Sequence, residues 1–396
     1  MYNPRSLPRN LFTGLANNLN IFIQNFSNEV HPIKIEKALI VSKLSRYEYE
    51  KRIHTDCNEN ELEKVLRKRG TNYDKLVSFH NLHKKFEEHL KETLNKLGTD
   101  VEVVNRYNCT EDKVDTADII IPIGGDGTYL LASSRVRNNK KPVIGFNSDP
   151  SRSEGCLCLP RWCSMDVKKT LEKLQQGQFK WLMRNRIRTT LAVSENDILS
   201  PKCLHDIKGF SLPPFRAAEK NVLPVLALNE VFMGETLSAR VSHLQMKLNG
   251  SQNDTNIKCS GMCVSTGTGS TSWHLSINRL STQSVAELLR LIDLDPTEGK
   301  DSLAVALSDT YNKNLIFSPE HKKMGYTIRD LISSGVWPDP KGIKPRGFAS
   351  KIEVQSHCFE AILVVDGGIS FPFNDGTVAQ LEIRPEDALR TVVFTD

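Results

Sequence analysis

The 396-residue sequence has no apolar run approaching the roughly 18 residues needed to cross a bilayer, which argues against membrane insertion. It also has no long lysine or arginine tract. Its net charge of +5 is mild and dispersed, so nothing calls for nucleic acid, whereas small anionic ligands remain compatible. Repeated C-x-x-C spacing is missing too. The nine cysteines are an odd, scattered set whose nearest pairs are Cys156 with Cys158 and Cys259 with Cys263. That usage reads as free thiols in a reducing compartment, and no metal-ligating set can be assembled from it. No internal repeat or low-complexity tract is present. The first 28 residues contain no acid and carry Arg5 and Arg9 among spaced apolar residues. This pattern predicts a mitochondrial presequence over residues 1–30 and a matrix location; a disordered tail on a cytoplasmic protein is the alternative.

What is present is the composition of a globular chain, 39% hydrophobic and 25% charged, with length enough for two domains. Residues 31–165 alternate strand and helix patterns. Apolar runs at 38–41, 101–104, 117–123 and 142–146 read as strands, and the spacing through Leu76, Phe79, Leu82, Phe86, Leu90 and Leu94 predicts a helix ending near Gly98. Alternation of this kind implies a parallel sheet covered on both faces. Residues 166–365 change character. After a helix over 166–176 come short β-branched segments at 187–193, 222–233 and 244–248, a Pro-containing excursion over 194–221, a helical insertion near 282–313 and a Pro/Gly-rich stretch over 337–347. Residues 366–396 are expected to return to the first domain.

The run from Ile119 to Thr128 holds a strand, a glycine turn and the start of a helix, in that order. Gly124, Gly125 and Gly127 permit close backbone approach, and a helix N-terminus at Thr128 offers unpaired N–H groups to phosphate. Its spacing is neither that of a P-loop nor that of a dinucleotide fingerprint. Asp126 stands among these glycines, where a carboxylate is unfavourable beside phosphate unless it takes a hydroxyl proton or helps hold a metal; a plain helix cap is the structural alternative. Pro122 is unusual for an interior strand. Asn229-Glu230 pairs an amide with a carboxylate, suited to adenine edges and ribose hydroxyls, or else simply ends a strand. Thr266, Gly267, Thr268, Gly269, Ser270 and Thr271, preceded by Ser265, mix glycines with hydroxyl donors, or else form a flexible loop.

These three elements, in this order, resemble the NAD kinase family, and the likeness runs through most of residues 34–396. The turn at 124–128 by itself is shared with diacylglycerol and sphingosine kinases, so a lipid kinase and a silent nucleotide sensor stand as rivals. Residues 142–147, including Asn147 near the nucleotide, follow the family, as do Gly155, Arg186 and the Val365-Asp366-Gly367 turn. Ser260-Gly261 replaces the usual Asp-Gly, Gly267 the usual Pro, and Ser272-Trp273 the usual Ala-Tyr. Those departures, with Arg152 to Gly155, resemble the divergent mitochondrial-type branch found in animals.

The resemblance implies a Rossmann-like α/β domain and a β-rich second domain, with the C-terminal segment returning to the first and nucleotides between the two. It implies transfer of the ATP γ-phosphoryl group, with Mg2+ accompanying ATP, to the adenosine 2′-hydroxyl of NAD, and a homodimeric assembly. Asp126 would be the catalytic base. Gly124, Gly125, Gly127, Thr128 and Asn147, together with Asn229, Glu230 and the residues from Thr266 to Thr271, would bind nucleotide, and Arg186 is a candidate for the transferring phosphoryl group. Trp273 would stack on a base or belong to the core.

Overall fold

The computed structural model describes residues 32–153, 155–193, 198–199, 201–204, 215–216, 221–251, 255–291, 300–332 and 344–394. The leader expected over 1–30 lies outside them, as do most of the excursion at 194–221 and the stretch at 337–347.

The first body is built on parallel strands β1 (Lys37–Ser42), β2 (Asp100–Val104) and β3 (Ile119–Ile123), in the spatial order β2-β1-β3. Successive side chains of a strand face opposite ways, and here both ways are covered. Ala38, Ile40, Ile119 and Ile121 pack on Leu90 and Leu94 of the helix Tyr73–Lys96, while Leu39, Val41 and Ile120 pack on Tyr129 and Ala132 of the helix Asp126–Ser134. The long helix starts where the Asn72 side chain accepts the Lys75 N–H and stops before Gly98, at φ +82°.

Residues 142–146 run beside β3 but meet it as two isolated bridges, Ile120 with Val143 and Ile123 with Phe146, and not as the continuous strand expected. The reason is Pro122. The N–H groups of Ile120 and Gly124 donate to Pro142 and Phe146 across this edge, and Pro122, between them, has no N–H to give. Val143 then donates to the Arg390 carbonyl, which brings Leu389–Val393 into the sheet, antiparallel to Lys180–Arg184. The chain therefore returns to the first body, though later than a boundary at 366: Ile369–Pro372 and Val378–Ile383 still pair within the β-rich sheets.

The second body is a sandwich of two antiparallel sheets. Seven strands are ordered 346–349, 324–329, 261–265, 230–235, 361–365, 369–372, 202–203; six are ordered 255–259, 242–248, 351–356, 378–383, 187–192, 221–222. Val231, Met233, Met262, Val264, Leu363 and Phe371 of the first meet Leu244, Met246, Ile352, Val354 and Leu381 of the second in one core. The segment 222–233, read as one strand, is divided: Val222 ends the short strand 221–222, and the chain re-enters a strand only at Glu230. The helical insertion is a pair, Thr282–Leu291 and Lys300–Asn314, joined through Val285, Leu289 and Ala304.

Candidate active site

β3 delivers the chain into the glycine turn at the C-terminal edge of the parallel sheet, the edge where open α/β folds take their ligands. Gly124 adopts φ +152°, and a Cβ there would stand 2.6 Å from Thr128 Oγ1, so the turn closes only around glycine. Gly125 is the N-cap, and no side chain caps the helix that begins at Asp126. The capping reading of Asp126 thus fails. Its carboxylate reaches across to the loop after residue 154 and accepts the N–H groups of Cys156 at 3.2 Å and Leu157 at 2.9 Å. Gly127, next along, is exposed.

Asn147 is buried under that same loop. It donates to the Ser153 carbonyl at 2.8 Å, accepts from Asp149 N–H at 3.0 Å, and packs where a Cβ on Gly155 would intrude at 2.7 Å. Its polar atoms hold the loop that in turn holds Asp126.

The second half of the site hangs on Asp366. Its backbone adopts φ +48° at the end of the strand Ala361–Val365, and its carboxylate accepts three successive N–H groups, from Leu228 at 2.8 Å, Asn229 at 2.7 Å and Glu230 at 3.1 Å. Burial pushes the Asp366 carboxyl up to about 6 despite those three donors. Glu230, buried and next to that charge, is pushed up to about 7, opposed only by the Ser272 hydroxyl donating to it at 2.8 Å. Between them the two carboxyls hold a proton to near neutrality. Asn229 Oδ1 is buried with no hydrogen-bond partner among the described residues, so one acceptor is left for a ligand.

The glycine-hydroxyl run lies against this pair. A Cβ on Gly269 would fall 2.1 Å from the Asn229 carbonyl, and one on Gly267 would fall 1.8 Å from the Ser318 carbonyl. The hydroxyls are largely in use: Thr266 donates to Leu228 O, Ser270 to Gly267 O at 2.6 Å, and Thr268 accepts from Arg184 at 3.3 Å. Ser265 to Ser270 are buried; Thr271 is exposed. A cavity of about 140 Å3 lies between Gly127, Leu130 and Ser134 on one side and Val365, Asp366 and Ile369 on the other, so the glycine turn and the Asp366 turn each contribute to its wall, whereas Asp126, Asn229, Glu230 and the run from Thr266 to Thr271 do not line it.

Residues 38–150 match the family model described as the ATP-NAD kinase N-terminal domain. The chain is 37% identical to mitochondrial NAD kinase 2 of Xenopus tropicalis across 94% of each chain, and 37% identical to that of Homo sapiens across 90% of this chain and 84% of the relative. The chain belongs to the NAD kinase family. The structure of a yeast NADH kinase complexed with NADH, 15% identical, superposes with a TM-score of 0.53 over 92% of this chain and 84% of that one, a likeness of fold. An NAD kinase fold thus carries a phosphotransferase turn here, and the lipid-kinase and sensor readings are not favoured.

Against this family background two sequence expectations change. Arg186 is fully buried and donates to Asp387 O, Ser133 O and Val136 O, the last two at the C-terminal end of the Asp126–Ser134 helix. It sits at the wrong end of a nine-residue helix, about 13 Å long, to meet phosphate at the turn, and it suits the negative end of the helix dipole instead. Trp273 lays one face of its half-buried ring on Phe232 at 4.7 Å, so that face is packing and is not available to a base. Two contributors carry no site signal in the sequence. Ser272 stands there only as a departure from the family's Ala, and its bond to Glu230 has no local pattern. Asp366 reads there only as part of a turn.

Proposed function

We propose that this NAD kinase family member transfers the γ-phosphoryl group of ATP to the adenosine 2′-hydroxyl of NAD, giving NADP. The observation that carries the reading is the Asp126 carboxylate, free of any helix-capping bond and fixed by two backbone N–H groups in the glycine turn, while its neighbour Gly127 shares one cavity wall with Asp366, the clamp on Asn229-Glu230. In this reading the 2′-hydroxyl lies beside Asp126, which accepts its proton as the oxygen attacks phosphorus. A ribose hydroxyl is a poor nucleophile at neutral pH, so positioning and charge neutralisation contribute more than basicity. The N–H groups opening the helix after Gly125 receive phosphate. Asn229 Oδ1 accepts from the adenosine, and Glu230, carrying its proton near neutral pH, donates or accepts as the ligand requires. The hydroxyl run from Thr266 to Thr271 sets the position of Asn229. Mg2+ enters with ATP, ligated mainly by phosphates and water.

A matrix location, directed by the acid-free N-terminus, is supported by relatives named as mitochondrial at 36–38% identity. A homodimer completes the proposal. The test is to incubate the protein with MgATP and NAD and detect NADP with an NADP-specific dehydrogenase, beside Asp126→Asn. Loss of a general base lowers turnover by about 10²–10⁴-fold while nucleotide binding persists. Undiminished turnover in Asp126→Asn removes that residue from the chemistry, and activity on diacylglycerol or sphingosine with none on NAD refutes the substrate.

A further inference from the structure

Besides the Mg2+ that accompanies ATP, the donor phosphates have no cationic side chain assigned to them once Arg186 is placed at the far end of its helix. β1 ends at Ser42, and the next residue, Lys43, enters the edge where the glycine turn lies. The Lys43 N–H donates to the Ile123 carbonyl at 3.0 Å, and its Cβ is 3.0 Å from the place a Cβ on Gly124 would take. The lysine stem therefore starts against the first glycine of the turn. The side chain is half-buried, and among the described residues its ammonium has no hydrogen bond or salt bridge. Burial lowers its pKa, Arg152 lowers it further, and Asp149 and Glu48 oppose them. Neither carboxylate closes an ion pair with it, and the neighbouring Arg152 is itself laid over the Phe79 ring at 3.9 Å. A poorly hydrated ammonium without a partner gains most from an anion supplied by a ligand.

The backbone that carries Lys43 is held by an internal network. Ser42 Oγ bonds His83 Nε2 at 2.9 Å and also donates to Glu87; His83 Nδ1 bonds Ser148 Oγ at 3.0 Å. His83 is fully buried, and burial and Lys43 together hold it down at about 4, so the ring is neutral at physiological pH. The network ties the end of β1 to the long helix and to the segment following residue 147, so the ammonium is presented from a fixed base.

We propose that Lys43 binds the phosphates of the phosphoryl donor at the glycine turn and neutralises charge on the group in transfer. This rests on the kinase reading above. It is tested on the full chain with Lys43→Met, Lys43→Gln and Lys43→Arg, varying MgATP and NAD separately, and with tripolyphosphate binding read by calorimetry. Loss of one stabilising donor at a transferring group predicts a fall of about 10²–10³-fold in kcat/KM for ATP. The KM for NAD stays within about threefold, tripolyphosphate binding weakens at least about tenfold, and Lys43→Arg recovers part of each loss because it restores the charge. Equal losses for both substrates, or unchanged tripolyphosphate binding in both neutral variants, overturn the assignment. A wild-type protein that forms no NADP refutes the kinase reading alone, since tripolyphosphate binding still decides Lys43. A wild type that forms NADP beside indifferent variants refutes Lys43 alone.

Discussion

Asp366 is where the structure makes its most quantitative demand. One carboxylate accepts the N–H groups of three successive residues, two on Oδ1 and one on Oδ2. Asp366→Asn keeps an oxygen for Asn229 and Glu230 and turns an amide NH2 toward the Leu228 N–H, so one bond is lost; Asp366→Ala loses all three. An orphaned buried donor costs about 1–3 kcal/mol, and the three share one short segment, so their losses overlap. The expected destabilisation is about 1–3 kcal/mol for Asn and about 3–6 kcal/mol for Ala. The raised pKa of Asp366 shows that the charge is held at some cost, which its removal recovers, so the lower half of each range is favoured. For a chain of this size about 1 kcal/mol moves the melting temperature by roughly 2 °C. Thermal and urea unfolding at pH 8, where the carboxylate is ionised, give the comparison. Both variants also raise the KM for NAD, because Asn229 and Glu230 lose their anchor. Asn as damaging as Ala, or neither differing from wild type by more than about 0.5 kcal/mol, refutes the clamp.

Glu230→Gln tests the proton held beside that clamp. The Glu230 pKa rises on folding from 4.5 to about 7, so between those values the folded chain keeps a proton the unfolded chain has released, and wild-type stability falls as pH rises through that window. The Gln variant, which still accepts from Ser272, lacks this slope and gains on wild type up to about pH 7; parallel stability curves over pH 4.5–8 refute the assignment. The glycines divide by what their Cβ would meet. Gly267→Ala drives a methyl onto the Ser318 carbonyl and is expected to cost at least about 2 kcal/mol in unfolding. Gly127→Ala meets nothing within 4 Å, so it is expected to stabilise its helix by about 0.5–1 kcal/mol while lowering NADP formation at the exposed turn; the reverse ordering in unfolding experiments refutes both.

How much of this was legible follows from the range over which each feature is encoded. The strand-turn-helix of residues 119–134 is local, and both its periodicity and its glycines stand in the sequence. The helices Arg46–Ile53 and Glu59–Lys68, absent from the apolar pattern, carry local signals of another kind: Ser45 with Glu48 and Asn58 with Glu61 each form a capping box. Their many charged residues obscure the apolar spacing that marks a helix. Asp366 belongs to another class. Its acceptor role spans 136 to 138 residues, and no pattern within either segment announces the other. The same holds for Asp126, whose partners lie 30 and 31 residues away across a loop.

Pro122 ties the local and the distant together. A strand-interior proline is a local warning, and by pattern alone it argues against β3. It is tolerated because a parallel strand directs alternate residues to alternate neighbours, so β3 keeps its pairing with β1, and the missing donor falls wholly on the side of residues 142–146. There the loss reduces a strand to two bridges, while the bonds at Ile120 and Gly124 still hold that segment in place. Gly124 donates to Phe146 immediately before Asn147, so the same hydrogen bond that ends the weakened edge sets the glycine turn against the residue that organises the Asp126 loop. The proline thus marks the point at which the sheet gives way to the site.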